Sequence, residues 1–228
     1  MAVESKGILE ICIDNYEDAL IAIEGGADRL ECCSRLDLDG LTPSINMVRS
    51  IQAVSDIPLR IMIRPRAGDF CYEHHEVLEM VSLIETFKEL RVEGFVFGCL
   101  DVFDDIDEPA LELLSEACED FGITFHRAFD VISNQESALD ILREHGVDTI
   151  LTSGAPGKAV DHLKRLEQLK KWADQDINIL VGGGVMPENA DTIIEKTGIN
   201  QLHASLNVNG KDYKPGKKVK MLKDAFCA

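Results

Sequence analysis

Hydrophobic and polar positions follow two different periods along the chain. Eight short runs, rich in β-branched and aromatic residues, have the length and period-two alternation of barrel strands. The predicted strands are 8–14, 29–33, 58–64, 94–100, 123–129, 148–153, 177–182 and 200–206. Segments between them repeat apolar residues at helical spacing. The predicted helices are 16–24, 76–91, 108–120, 135–144, 159–173 and 187–196, with a short helix near 217–226.

This regular alternation of strands and helices indicates a parallel sheet. Eight such units in about 200 residues fit a TIM-type (β/α)8 barrel better than an open, doubly wound sheet. No linker interrupts the pattern, so we expect a single domain over residues 1–228. The final helix is expected to be short or atypical, because few residues follow the eighth strand. A homodimer or higher homo-oligomer could cover that flank of the barrel.

The interior of the predicted barrel carries an unusual number of polar side chains. One face of each strand packs on the helices and the other fills the lumen, so period-two alternation sorts the residues. The predicted lumen residues are Glu10, Cys12, Glu31, Cys33, Arg64, His126 and His203. Buried charges are rare, so the set indicates a functional site. Ion pairs that satisfy each other inside the lumen are the alternative interpretation for any one of them.

Acid–base chemistry is one use for such a lumen, because active sites of TIM barrels form at the C-terminal ends of the strands. The candidate catalytic residues are Glu10, Glu31, Arg64, His126, Asp130 and His203. Glu10, Glu31 and His126 are candidates for proton transfer. Arg64 could hold an anionic group, and Asp130 could orient a neighbouring side chain.

A glycine triplet at the end of the seventh strand predicts an anion site. Backbone amides of Gly182, Gly183 and Gly184 could cradle an anion before the next helix, with Ser205 on the other side. The direction of Arg127 stays open. Strict alternation places it on the helix side, whereas a bulge would turn it inward.

Composition narrows the classes of partner. Acidic residues number 41 against 23 basic ones, giving a net charge of −18, so we expect no nucleic-acid partner and no binding to anionic membranes. No signal-peptide core or membrane span is recognised, which predicts a cytoplasmic protein. No nucleotide cofactor is predicted, since no GxGxxG motif follows the first strand. Seven cysteines without a CxxC pair speak against a disulfide framework.

Short motifs in order along nearly the whole chain carry a family resemblance. They are "LEICID", "GGADRLECCS", "GLTPS", "IMIRPRAGDF", "VFG", "ITFHRAFD", "LTSG", "GGGV" and "LHAS". With them, the sequence resembles the CutC family, which is named for copper homeostasis. The resemblance implies a TIM-type barrel, a cytosolic protein and a copper-related role, with copper(I) bound at Cys12 and Cys33. Copper(I) is soft and favours thiolates, and both cysteines end adjacent strands on the same face.

The sequence therefore leaves two hypotheses for the function. The first is a CutC-like cytosolic protein of copper homeostasis that binds copper(I) through Cys12 and Cys33. The second is an enzyme of isomerase, lyase or hydrolase type that acts on a small anionic or phosphorylated metabolite. The resemblance favours the first. The polar lumen, which two thiols would not require, supports the second at least as well.

Overall fold

The computed structural model describes residues 7–227. The predicted domain, 1–228, extends at both ends into residues outside this range. Among the described residues, no helix combines the length and the apolar character that crossing a membrane requires.

Eight parallel strands close into a barrel in which each strand pairs with the next along the chain and the last returns to the first. The strands are β1 Ile8–Ile13, β2 Arg29–Cys32, β3 Leu59–Met62, β4 Gly94–Phe97, β5 Gly122–Phe125, β6 Thr149–Thr152, β7 Asn178–Val181 and β8 Gln201–Ser205. The predicted TIM-type barrel is confirmed. Most strands end before their predicted C-terminal residue, because the chain turns there into the loops that form the mouth of the barrel.

Eight helices surround this sheet. They are α1 Tyr16–Gly25, α2 Ile45–Gln52, α3 His74–Lys88, α4 Glu108–Cys118, α5 Gln135–Glu144, α6 Leu163–Ala173, α7 Pro187–Thr197 and α8 Pro215–Asp224. Sequence reasoning missed α2, although Ser44 caps it and Val48 and Ile51 face the core. The final helix has ten residues and packs against α1. Short 3-10 turns occupy Leu36–Leu38, Arg127–Val131, Ala159–Asp161 and Ala225–Cys227.

The fifth strand is shorter than predicted, which decides how the mouth of the barrel is built. The expectation of a strand over 123–129 is wrong, because a 3-10 turn begins at Arg127. His126 follows the last strand residue, Phe125, and its Nδ1 accepts the backbone N–H of Ala128 at 3.2 Å. The imidazole thus does what Ser, Thr, Asp or Asn usually does at a helix N-cap. This capping diverts residues 127–131 away from the sheet.

The lower lumen is filled by charges that compensate one another. Arg29 donates to Glu10, and Arg60 donates to Thr124 and, at 2.9 Å, to Asp148. All but Asp148 are at least nine-tenths buried. Leaving either partner of such a buried pair alone would cost several kcal/mol, roughly 3–5, so the layer is a floor for the cavity above it. Glu10 belongs to this floor, as the ion-pair interpretation of the lumen allowed.

Candidate functional site

A cavity of about 740 Å³ opens at the C-terminal ends of the strands. Its lining brings together ten of the twelve residues singled out from the sequence. These are Cys12, Glu31, Cys33, Arg64, His126, Asp130, Gly183, Gly184, His203 and Ser205. The other two, Glu10 and Gly182, lie outside the lining. The Gly182 N–H is already bonded to the Thr152 carbonyl oxygen at 2.9 Å.

An ion pair between Glu31 and His203 lies at the centre of the cavity wall. Parallel pairing of β1 with β2 and β8 places Cys12 beside Glu31 and Glu10 beside His203. The imidazole donates from Nε2 to Glu31 Oε2 at 3.0 Å, and Glu10 Oε1 lies 3.8 Å from the same nitrogen.

The two partners of this pair hold each other charged. Burial has the largest single effect and would lower the pKa of His203, but Glu31 and Cys12 together outweigh it and raise that pKa well above its usual value. Burial would likewise raise the pKa of Glu31, yet His203 lowers it. At neutral pH the pair is therefore carboxylate and imidazolium.

His126 is held in the opposite state. Burial first, and then the nearby Arg64, lower its pKa to about 3, so the imidazole is neutral. Because Nδ1 accepts the Ala128 N–H, the proton of the neutral ring is on Nε2. The ring lies 4.7 Å from that of Phe70, and Gly98 leaves space for it, since a Cβ there would come 2.5 Å from Nδ1. No described residue accepts a hydrogen bond from Nε2.

Both predicted metal-binding cysteines line the cavity, but they have different surroundings. The Cys33 thiol donates to Glu31 Oε2 at 3.5 Å, and burial, followed by the Glu31 charge, raises its pKa well above the usual value. Cys12 lies closer to His203 than Cys33 does. Cys12, Glu31 and His203 each offer one ligand atom, and these three atoms lie within 4.8 Å of one another. Among the described residues this trio, which does not include Cys33, is the group that could hold a metal ion.

Arg64 is largely committed to the loops around it. Its Nη1 donates to the carbonyl oxygens of Leu38 and Gly40 at 3.0 and 3.1 Å, and its Nη2 to that of Gly68 at 2.9 Å. The guanidinium also lies over the ring of Phe70, 5.1 Å from its centroid. Arg64 thus fixes two loops of the mouth and supplies a buried positive charge beside His126.

Asp130 and Arg127 form a second ion pair, at the rim. Asp130 accepts from the Ser153 N–H and hydroxyl at 3.0 and 2.7 Å, from the Thr152 hydroxyl, and from Arg127 Nε at 2.8 Å. The 3-10 turn, and not a bulge in a continued strand, directs the Arg127 side chain to the cavity. Asp130 thus contacts the side chain of Arg127, and its orienting role stays a prediction.

Lys218 is a lining residue that sequence reasoning missed. It reaches the cavity from α8, is 1% exposed, and donates to the carbonyl oxygens of Ser205 and Asn207 at 2.8 and 2.7 Å. Burial lowers its pKa to about 8. Nothing in the lysine-rich segment around it distinguishes this side chain from its exposed neighbours.

Comparison with known proteins agrees with this geometry. The profile of the CutC family matches residues 7–208. The chain belongs to the CutC family. A relative named as family protein CutC, from Aliivibrio fischeri strain MJ11, is 44% identical over 211 residues, which are 92% of this chain and 84% of the relative. A second, from Pasteurella multocida strain Pm70, is 41% identical over 90% of this chain and 83% of the relative.

A solved CutC structure shows the same fold. It is the putative copper homeostasis protein CutC from Streptococcus agalactiae, with a TM-score of 0.83 and 33% sequence identity. The match covers 87% of this chain and 98% of the other. That protein is named for copper homeostasis, and the TIM-type barrel is common to both chains.

The neutral state of His126 predicts a loss of stability in acid. An unfolded histidine binds a proton below a pKa of about 6.5, whereas folded His126 does so only near 3. Stability is therefore lost as the pH falls through this window. His126→Asn keeps an acceptor for the Ala128 N–H but does not titrate. Between pH 7.5 and 5.0, the free energy of unfolding measured in urea should fall by about 2 kcal/mol more for the wild type than for this variant.

The exposed His75 provides the matched control. His75→Asn should have the wild-type pH dependence. Equal pH dependence for wild type and His126→Asn would contradict the assigned state of His126.

Proposed function

We propose that this CutC-family chain is an enzyme that transfers a proton on a small, anionic carbonyl compound. One observation carries the proposal: two buried polar atoms in one cavity have complementary roles and no hydrogen-bond partner among residues 7–227. They are the acceptor Glu31 Oε1 and the donor Nε2–H of His126, on residues that are 3% and 4% exposed. An unpaired buried polar group costs about 1–3 kcal/mol. A ligand that bonds to both atoms would recover that cost.

The charge states assign the roles. Ionised Glu31 would remove a proton from the carbon next to a carbonyl group. The neutral His126 would donate from Nε2 to the carbonyl oxygen and stabilise the enolate that forms, as a preorganised donor does without being ionised itself. In an α-hydroxy carbonyl compound, return of the proton from Glu31 to the former carbonyl carbon completes an isomerisation, while the proton of the α-hydroxyl group passes to the former carbonyl oxygen. Loss of a leaving group from the enolate gives a lyase reaction instead.

The Glu31–His203 pair would keep this base ready. His203 fixes one carboxylate oxygen and leaves the other free for the substrate. Glu10, from the floor of the cavity, lies 3.8 Å from Nε2 of His203 without reaching the lining. The volume of the cavity suits a small metabolite.

The reduced cysteines support a cytoplasmic setting. Six described cysteines are free, and five of them are buried. Thiols persist in the reducing cytosol, whereas secreted proteins usually pair theirs.

A homodimer or higher homo-oligomer stays a prediction, tested by light scattering at micromolar concentration.

Deuterium exchange tests the proposed chemistry whether the product is an isomer or a cleaved fragment. The protein is incubated in D₂O with a panel of small ketones and aldehydes that carry phosphate or carboxylate, and mass spectrometry follows the uptake of deuterium. We expect uptake into at least one compound. Glu31→Gln should slow it by about 10²–10⁴-fold, the usual contribution of a general base.

Paired variants make the roles separable. His126→Gln can keep a donor near the position of Nε2 and should retain more activity than His126→Asn, which cannot. Glu17→Gln, at an exposed position of α1, serves as the control and should match the wild type. Wild-type exchange rates in Glu31→Gln, or no exchange with any compound of the panel, would overturn the proposal.

Copper(I) binding is the second candidate function, and a specific observation favours it. The trio of Cys12, Glu31 and His203 places sulfur, oxygen and nitrogen ligands around one point, and Cys33 lines the same cavity. Thiolates are the ligands that copper(I) prefers. Copper homeostasis is also the role in the name of the relative from Streptococcus agalactiae.

Cysteine variants separate the ligand sets. In a competition assay against a chromogenic copper(I) chelator, Cys12→Ser should weaken binding at least tenfold for either ligand set. Cys33→Ser weakens it only when the two thiolates bind together. Cys118→Ser, a buried cysteine of α4, should leave the affinity unchanged. Unchanged affinity in both the Cys12 and Cys33 variants would exclude copper(I) binding at these residues.

A further inference from the structure

The guanidinium of Arg127 is held rigidly at the rim of the cavity with one nitrogen unused. Its Nε donates to Asp130 Oδ2 at 2.8 Å, and its Nη2 donates to Ser153 Oγ and the Gly157 carbonyl oxygen at 2.9 and 3.0 Å. Nη1 has no acceptor among residues 7–227. The side chain lines the cavity and is 40% exposed. A donor with fixed orientation therefore remains available to a ligand.

Asp130 is a positioning residue for this guanidinium. It is 5% exposed and is itself fixed by the hydroxyl groups of Thr152 and Ser153. Such support reduces the conformational entropy that a long side chain loses when it binds a ligand. Because Asp130 also compensates part of the charge of Arg127, recognition by Arg127 rests on directed hydrogen bonds more than on long-range attraction.

The glycine turn after β7 approaches the same guanidinium. A Cβ on Gly183 would lie 3.4 Å from Arg127 Cζ and 2.9 Å from Ser153 Cβ. Gly183 and Gly184 have φ values of +89° and +73°, which residues other than glycine rarely adopt. In the described part of the chain, no acceptor bonds to the N–H of either glycine. Both glycines line the cavity.

We propose that Arg127 and the backbone N–H groups of Gly183 and Gly184 form a subsite for the anionic group of the substrate. The ligand is an oxyanion, either a phosphoryl group or a carboxylate. Hydrogen bonds between a guanidinium and such groups are short and strong because both partners are charged. Arg64, the predicted anion ligand, already donates to three carbonyl oxygens. This inference rests on the proposed function, since it names the part of the substrate that the reacting residues leave unrecognised.

Titration with simple anions tests the subsite. ¹H–¹⁵N correlation spectra of the full chain are recorded with increasing inorganic phosphate and, separately, acetate. At least one anion should cause saturable shifts of the Gly183 and Gly184 amide signals. Arg127→Gln should weaken this binding at least tenfold, and Arg127→Lys should give an intermediate affinity, because lysine keeps the charge but not the planar fork.

The matched control is Arg35→Gln. Arg35 follows β2 at the same end of the barrel, pairs with the exposed Asp37, and does not line the cavity. Its removal changes the net charge equally and should leave the affinity unchanged. The spectra also show directly whether each variant is folded.

The outcomes separate this inference from the proposed chemistry. Tighter binding of phosphate assigns a phosphorylated substrate, and tighter binding of acetate assigns a carboxylate. Equal affinities of Arg127→Gln and Arg35→Gln, or no shift at Gly183 and Gly184 with either anion, would overturn the subsite. Glu31→Gln should still show saturable shifts of the Gly183 and Gly184 amide signals, because Arg127 and both N–H groups remain. Anion binding without deuterium exchange would therefore support the subsite while contradicting proton transfer.

Discussion

The carboxylate of Glu31, buried in the lumen beside His203, is the charge on which the arrangement of the cavity depends. A carboxylate buried in this position remains ionised mainly because an imidazolium donates to it. The same oxygen accepts from Cys33, and no residue in the described part of the chain donates to the other oxygen. Below it, Arg29 pairs with Glu10 and Arg60 pairs with Asp148 in the floor of the barrel. The floor is thus structural, whereas the layer above it combines charge with unused hydrogen-bonding capacity.

Much of this could be predicted from the sequence because a barrel strand has a strict period of two. That period placed the side chains of Glu31 and His203 in one lumen. Parallel pairing brought the ends of the strands that carry them to the same end of the barrel. The direction of Arg127 could not be obtained in the same way. It depends on His126 capping a 3-10 turn, a local hydrogen bond that ends the alternation. Lys218 could not be predicted as a cavity residue for another reason, since only tertiary packing turns this one lysine of α8 into the cavity.

The protonation states of the lumen residues also could not be predicted from the sequence, although the residues themselves were recognised. Two histidines of the same lumen are driven in opposite directions: burial next to Arg64 keeps His126 neutral, and a neighbouring carboxylate keeps His203 charged. The two candidate functions use this difference differently. Proton transfer needs His203 charged and Glu31 ionised. A metal on Cys12, Glu31 and His203 needs the imidazolium to lose its proton, and it would occupy the base.

One lumen thus holds a neutral histidine, His126, and a charged histidine, His203, and this difference is the central claim. Imidazole ¹⁵N NMR of the metal-free protein between pH 5 and 8 tests it most directly. The account predicts that His126 keeps an unprotonated Nδ1 and a protonated Nε2 throughout, as its pKa of about 3 requires, while His203 carries protons on both nitrogens at neutral pH. Titration of His126 near its usual pKa, or a neutral His203 at pH 7, would contradict it.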